Sequence, residues 1–435
     1  MKPLKFSRTE VFAEKLGLIG LFCFLFFAWL GTAMAYVGLF LMLVTFIAGI
    51  PENWQQLKHD PVIRLFMVFV VYLLLRTAWS VYEFPELTAQ HIHDGLEWLY
   101  LWLFIPVAWW LKQSRQRIYL ALLGLMLGFL ISVVWLTDWQ ACDVFVGSMR
   151  CGFGFQLILA ALFLGTCLLG LLMYAPRLIG QKTFCWPWFL RLFVWLGLVL
   201  LVTYALILTQ TRTVWLALAL ILPLLILLRY RDAITDMLKG KRKTEFVVGV
   251  LIIAIVSGIL LIKQSTMNER VEQIKDDGWA IMTLQFDKVD TSSGSLGLRL
   301  SMYQKGYEMW LQRPLFGWGV AGVNNEYFYT NVDHELAAMS HLHNTYSEPL
   351  VRFGLVGGII LLALVGHLLV SLKKAYRCHR VEKDHYYFLM ASLALLAIWC
   401  FGDYQLFSTD WRVFCCAIFG IAYSFLIGKR QSSTS

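Results

Sequence analysis

The chain has 435 residues, of which 59% are apolar and only 15% are charged. Soluble domains carry about 25% charged residues, so this composition excludes an ordinary soluble protein. The net charge of +9 would suit a nucleic acid partner. However, most of the basic residues lie in short segments between apolar runs, where they indicate orientation in a membrane, and we expect no nucleic acid partner.

The apolar runs are candidate transmembrane helices, because each is close to the roughly 20 residues that cross a bilayer. We expect about twelve of them. They lie at 16–32, 34–50, 62–81, 98–111, 117–137, 155–174, 187–208, 212–228, 245–262, 348–371, 386–402 and 410–428. A transmembrane barrel would instead show alternating segments of about 10 residues. The sequence therefore predicts an all-α polytopic membrane protein.

The distribution of positive charge predicts the topology. If the N-terminus is cytoplasmic, most of the 37 Lys and Arg residues fall in inner segments, and both termini are then cytoplasmic. The chain divides into 1–262 with nine spans, a polar loop at 263–347 on the outer face, and 348–435 with three spans.

The large outer loop contains two predicted helices. It opens with KQSTMNERVEQIKDDGW, which is typical of a short amphipathic helix. Further on, Leu300, Tyr303, Tyr307 and Trp310 recur at helical spacing, and Pro314 ends that second helix. A loop of this size can form a lid over the outer face.

Four isolated arginines occur at the outward ends of predicted spans, namely Arg76, Arg150, Arg212 and Arg412. The planar guanidinium group suits phosphate and carboxylate oxygens. Arg76 and Arg412 can equally extend toward lipid head groups. For Arg412, the nearby Asp410 and Asp403 also allow a local ion pair.

Arg212 lies in the polar segment TQTRTVW (209–215), which opens a span and ends in Trp215. Free backbone N–H groups and the helix dipole would add to the arginine charge, so this helix start favours an anion. Arg299 also lies near a helix start, and it shares a helix stripe with Tyr303, Gly306 and Trp310. The glycine would allow another group to approach closely.

The segment HLHNTYSEP (341–349) concentrates polar side chains ahead of an apolar run. A neutral imidazole can act as a general base near physiological pH, and Asn344 is placed to orient His343. The alternative is a structural pair of hydrogen-bonded histidines. No third and fourth ligands lie nearby in sequence, so we expect no metal. Arginines and a histidine together suit a lipid-linked substrate whose leaving group is an anion.

The outer loop between the predicted spans 117–137 and 155–174 contains Cys142 and Cys151. The two thiols could form a disulfide or stay free, and the spacing does not decide between these states.

Three segments, TQTRTVWLALAL (209–220), RLSMYQKGYEMWLQRPLFGWG (299–319) and HLHNTYSEPLVRFGLVGG (341–358), resemble the O-antigen ligase and polymerase family of polytopic glycosyltransferases. The matching positions are Arg212, Arg299, Trp310, Pro314, Gly317, Gly319, His341, His343, Asn344, Tyr346, Glu348, Gly354 and Gly357. MRCGFGF (149–155) also resembles an arginine–glycine stretch of the family. Ser347, Arg352 and Gln156 depart from the family pattern.

The resemblance implies a GT-C-like fold and an inverting transfer of O-antigen from undecaprenyl diphosphate to lipid A–core. The reaction would take place at the periplasmic face of the bacterial inner membrane, among membrane lipids and without a cofactor or metal. His343 would be the general base, with Arg212 and Arg299 also catalytic. The implied substrate-binding residues are Arg150, Trp215, Tyr303, His341, Asn344, Tyr346, Glu348, Arg76 and Arg412.

Three other functions are alternatives to the ligase. They are an O-antigen polymerase, a protein O-oligosaccharyltransferase and a transporter. Protein-glycosylating members of the family tend to be longer, and a transporter more often has its charges near the membrane midplane. The chain length, the span number and the single large loop favour the ligase.

Overall fold

The computed structural model of the protein describes residues 8–142, 150–180, 186–238, 296–322 and 341–427. Within these ranges the secondary structure is helical and contains no β-strand. The α-helices are α1 (Arg8–Phe27), α2 (Thr32–Leu57), α3 (Pro61–Glu83), α4 (Thr88–Leu99), α5 (Phe104–Leu111), α6 (Arg115–Leu136), α7 (Leu157–Met173), α8 (Ala175–Ile179), α9 (Trp186–Leu208), α10 (Arg212–Leu238), α11 (Leu296–Gln312), α12 (Ser347–Arg377), α13 (Lys383–Trp399) and α14 (Thr409–Ser424).

The length and composition of the helices define a polytopic membrane protein. Among the described residues, six helices are long and apolar enough to cross a bilayer, and they lie in α2, α3, α6, α9, α10 and α12. The larger predicted number of spans stays a prediction. The predicted span 245–262, the first loop helix and residues 323–340 lie outside the described residues.

Polar side chains cap the starts of several helices. The Asp60 carboxylate accepts the Val62 N–H at 2.8 Å, and Pro61 occupies the first position of α3. Ser114 caps α6 in the same way. The loop helix predicted from the spacing of its aromatic residues is confirmed as α11, which ends two residues before Pro314.

The predicted span 98–111 is not one continuous helix. α4 ends at Leu99, a 3₁₀ turn covers Tyr100–Leu103, and α5 has only eight residues. Pro106 has no N–H to donate to the carbonyl four residues earlier, so a regular α-helix cannot continue through this point. Every residue of α5 is buried, and α5 packs against α14.

Residues 313–322 form a loop that is hydrogen-bonded along the start of α12. The backbone N–H groups of Trp318 and Gly319 donate to carbonyls in this part of α12 at 2.8 and 2.9 Å. Gly354 has a φ of 63°, and a Cβ there would lie 2.3 Å from the Leu315 carbonyl. Only glycine allows this approach, which accompanies a kink in α12. The glycine motifs of the loop and of α12 therefore pack against each other.

Candidate active site

The turn at 400–405, between α13 and α14, joins the segments predicted to carry the chemistry. The Thr345 N–H, in the histidine segment, donates to the Cys400 carbonyl at 2.9 Å. On the other side, a Cβ at Gly402 would lie 3.0 Å from the Thr213 hydroxyl oxygen, at the start of α10. The turn is therefore packed between the arginine-containing helix start and the histidines.

Asp403 in this turn is the partner of the proposed base. His343 Nδ1 lies 3.0 Å from Asp403 Oδ1, and the carboxylate is fully buried. The same carboxylate accepts the Tyr404 N–H at 2.8 Å and the Gln405 amide at 3.1 Å. A buried carboxylate beside Nδ1 favours the tautomer that carries its proton there, so Nε2 is left to accept a proton.

Sequence reasoning missed the role of Asp403, because it considered this residue only as a partner of Arg412. Sixty positions separate Asp403 from His343. The position of Asp403 in the sequence was the signal that could have identified it. An acidic side chain directly after an apolar span costs free energy, so it is expected to have a partner or a function.

The backbone at His343 is held in an uncommon conformation. Its φ is 48°, in the left-handed region that residues other than glycine rarely adopt. The His343 N–H donates to His341 Nδ1 at 3.3 Å, and the Tyr303 hydroxyl oxygen lies 3.4 Å from the His343 carbonyl oxygen. Such strain persists only where surrounding contacts fix it. These contacts give His341 and Tyr303 supporting positions around the imidazole.

His341 is neutral at physiological pH. Burial, with a smaller contribution from His343, lowers the pKa of His341 to about 4. Because Nδ1 accepts a backbone hydrogen bond, the proton of the neutral ring lies on Nε2.

Asn344 has a different role from the one predicted. Its amide oxygen accepts the N–H groups of Tyr346 and Ser347 at 2.8 and 3.1 Å, and so caps the start of α12. The residue that orients His343 is Asp403, not Asn344. Tyr346 lies beside this cap, and its hydroxyl donates to the Ala397 carbonyl at 2.7 Å.

Two of the predicted arginines lie at the start of α10. Arg212 is the first residue of that helix. The Arg150 guanidinium donates to the Thr209 carbonyl at 3.3 Å, just before the helix begins. Trp215 donates its indole N–H to the Leu206 carbonyl at 3.3 Å, which fixes the turn between α9 and α10.

A disulfide joins Cys142 and Cys151. The spacing of these cysteines in the sequence did not decide whether they are paired or free. The N–H of Cys151 donates to the Leu208 carbonyl at 3.0 Å. The disulfide and this hydrogen bond together place the neighbouring Arg150 at the end of α9.

Arg299 lies on α11, one helical turn before Tyr303. The Tyr303 hydroxyl donates to the Phe401 carbonyl in the central turn. The close approach expected at Gly306 is observed, since a Cβ there would lie 2.8 Å from the Leu342 side chain. α11 therefore packs directly on the histidine segment.

Arg76 and Arg412 have structural partners. Arg76 is buried and donates to the carbonyls of Phe316 and Gly317 at 2.9 and 2.8 Å, which fixes the 313–322 loop. Arg412 pairs with Glu97 of α4 and covers the Tyr100 ring at 4.8 Å. Neither extends to lipid head groups as considered, and the ion-pair partner of Arg412 is not Asp410 or Asp403.

Glu348 is also structural, which corrects its predicted place among the substrate-binding residues. It is fully buried, and its carboxylate pairs with Arg352 at 2.8 Å and accepts the Leu342 N–H at 3.0 Å. Arg352, a departure from the family pattern, also pairs with Asp94 at 3.0 Å. The two carboxylates and the guanidinium satisfy one another in a buried network that fixes the backbone between the two histidines.

Three side chains of the site are close enough together to hold a metal ion. His341, His343 and Asp403 each offer one ligand atom, and these atoms all lie within 4.8 Å of one another. Asp403 thus supplies the third ligand whose absence nearby in sequence argued against a metal. The donor types suit zinc, although coordination through Asp403 would compete with its hydrogen bond to His343. Metal independence stays a prediction.

The fold and the site define a polytopic helical membrane protein with a carboxylate-oriented histidine beside arginine-bearing helix ends. Residues 196–362 match the family model described as O-antigen ligase. The chain is similar to the O-antigen ligase family over this range, which confirms the resemblance found in its motifs. The matched range includes Arg212, Arg299 and His343 but neither Arg150 nor Asp403. No curated protein matches the chain.

Proposed function

We propose that this protein is an O-antigen ligase. In this proposal it transfers O-antigen polysaccharide from undecaprenyl diphosphate to lipid A–core by an inverting reaction that needs no metal. The match to the family model supports a glycosyltransferase of the ligase or polymerase type. The donor, the acceptor and the mechanism are parts of the proposal.

The observation that carries the proposal is the hydrogen bond between His343 Nδ1 and Asp403. It leaves Nε2 to take the proton from the acceptor hydroxyl. The hydroxyl oxygen forms a bond to the anomeric carbon while the bond from that carbon to the diphosphate breaks. Asp403 stabilises the imidazolium that results, as an oriented carboxylate does in hydrolytic triads. Direct displacement inverts the anomeric configuration.

The arginines bind the diphosphate leaving group in this proposal. The departing diphosphate carries the electron pair of the broken bond, so its negative charge grows in the transition state. Arg212 at the start of α10 and Arg299 on α11 would bind its oxygens, with Arg150 beside them. Guanidinium groups suit this because they donate two parallel hydrogen bonds to phosphate.

The proposed location is the periplasmic face of the bacterial inner membrane, with both termini in the cytoplasm and the 263–347 loop acting as a lid. The distribution of basic residues supports this orientation. The disulfide that joins Cys142 and Cys151 supports it independently, because disulfides persist in the periplasm and are rare in the cytoplasm.

The test is a gene deletion in the source bacterium, followed by electrophoresis of its lipopolysaccharide. Loss of a ligase should leave lipopolysaccharide with core only, while long undecaprenyl-linked chains accumulate. The wild-type gene should restore the ladder, and a His343→Ala gene should not. Core bearing a single repeat would indicate a polymerase instead, and unchanged lipopolysaccharide would contradict both functions.

A further inference from the structure

A cavity of about 510 Å³ lies between α6 and α7. α6 packs on α1, while α7 packs on α9 and α13, which leaves a gap between these two consecutive helices. Phe388 of α13 and Phe414 of α14 line the cavity as well. Its volume falls within the range of roughly 300–1,000 Å³ that is usual for small-molecule sites.

The walls of the cavity are apolar except at one end. Trp29, Phe129 and Phe163 line one part. Tyr119 and Arg177, near the start of α6 and just past the end of α7, are polar side chains at the other. Leu123 on the rim is 46% exposed on the outer surface of α6. The cavity therefore has the character of a hydrocarbon site with a polar mouth.

Two exposed arginines, Arg115 and Arg177, lie at the mouth of the cavity. Arg115 and Arg177 both pair with Glu382, and Arg177 and Arg229 both pair with Asp384. Arg115 and Arg177 keep 67% and 42% of their side-chain surface exposed, so both can contact a further anion.

We propose that this cavity binds an acyl chain of an anionic phospholipid, whose phosphate lies against Arg115 and Arg177. Basic pockets between transmembrane helices recognise such head groups. The two exposed guanidinium groups favour an anionic lipid over a zwitterionic one. This proposal does not rest on the proposed function, because it concerns a cavity lined by none of the proposed catalytic residues.

The test measures lipid retention by native mass spectrometry. The full chain is purified from vesicles containing equal parts of phosphatidylglycerol and phosphatidylcholine, and the lipids that remain bound are identified. Wild-type protein should retain one phosphatidylglycerol. Leu122→Trp, which places a bulky ring in the cavity, should lose it. Leu201→Trp is the matched control, since Leu201 is 58% exposed on α9 outside the cavity and should retain it.

The head group is tested with Arg115→Gln, which leaves Glu382 paired with Arg177. This variant should lose the preference for phosphatidylglycerol over phosphatidylcholine, while Lys374→Gln, an exposed control at the end of α12, should keep it. Added phosphatidylglycerol should raise the melting temperature of wild-type protein and of Leu201→Trp but not of Leu122→Trp. Three results would overturn the proposal. Leu122→Trp could retain as much phosphatidylglycerol as wild type, or wild type could retain both lipids equally. The third result is displacement of the bound phosphatidylglycerol by undecaprenyl phosphate.

Discussion

At the scale of single residues, the proposed chemistry depends on the hydrogen bond between His343 and Asp403. The buried carboxylate fixes both the tautomer and the orientation of the imidazole, and it offsets the charge that the ring gains when it accepts a proton. Neither effect requires Asp403 to touch the substrate. Asp403 is therefore a positioning residue, and its removal should affect the rate of transfer more than the binding of the donor.

Asp403→Asn tests this role. The amide keeps the shape but no longer favours a proton on Nδ1, so kcat should fall by about 10²–10⁴-fold, with the donor KM little changed. Steady-state kinetics of the purified enzyme measure both constants. Asp410→Asn, an acidic residue on α14, is the control and should behave as wild type. A wild-type kcat for Asp403→Asn would remove the dyad from the mechanism.

The proposed binding of the diphosphate by Arg212 and Arg299 should require the forked guanidinium group and not only a positive charge. Arg212→Lys and Arg299→Lys should each reduce kcat/KM for the lipid-linked donor by about tenfold or more, because lysine cannot donate two parallel hydrogen bonds to a diphosphate. Arg377→Lys at the end of α12 is the control. Full activity in both site variants would rule out bidentate binding at these positions.

The lowered pKa of His341 predicts how the free energy of unfolding depends on pH. Its pKa is about 4 in the folded protein, against about 6.5 in an unfolded chain. The unfolded state therefore binds more protons between these values. The contribution of His341 to the free energy of unfolding is fully present above about pH 6.5. It is lost as the pH falls toward 4, and the total loss is up to about 3 kcal/mol.

Thermal unfolding at pH 7 and pH 5 measures this loss, with His341→Asn as the comparison. The wild-type melting temperature should fall more than that of the variant between the two pH values. The same decrease in both proteins would show that His341 is not the group responsible.

At the scale of helices and loops, the disulfide connects the proposed chemistry to the fold. It joins Cys142, after α6, to Cys151, which is hydrogen-bonded to the end of α9. Arg150 lies between this bond and the start of α10, and its own hydrogen bond goes to Thr209. The disulfide should therefore act on transfer through the position of Arg150.

A double-mutant cycle tests this coupling. Cys142→Ser should raise the donor KM in the wild-type background, because Arg150 loses its constraint, and should have little further effect in Arg150→Ala. Cys378→Ser, which changes an exposed free thiol, is the control. Independent, additive effects of the two substitutions would show that the disulfide stabilises the fold without positioning the arginine.

Local features of the fold were predictable from the sequence, while features that depend on packing were not. The periodicity of Tyr303, Tyr307 and Trp310 predicts α11 because a helix is a local structure. The break in 98–111 arises at Pro106, but the apolar composition of that segment also suits a continuous span. The positive φ at Gly354 follows from its contact with the 313–322 loop, which no local pattern reveals.

At the scale of the whole molecule, packing decides which polar residues are available for chemistry. α13 packs against both α7 and α10, and so brings the turn at its end beside the helix start of Arg212. The motifs indicated His343 and Arg212 in advance. The pairing of His343 with Asp403 joins residues sixty positions apart, which explains why sequence reasoning missed it. Glu348 and Arg352 are only four residues apart in α12, but both are buried and Arg352 also pairs with the distant Asp94, which explains why Glu348 was misassigned.

The proposed mechanism is general-base catalysis by His343 without a metal. It is tested most directly by transfer from undecaprenyl-diphosphate-linked O-antigen to lipid A–core with purified protein in lipid vesicles containing a chelator. The wild-type rate should be unaffected by the chelator. His343→Ala should lose about 10²–10⁴-fold in rate while still binding the donor, and His341→Ala should lose less. A wild-type rate in His343→Ala, or a chelated enzyme that regains activity only with zinc, would contradict the account.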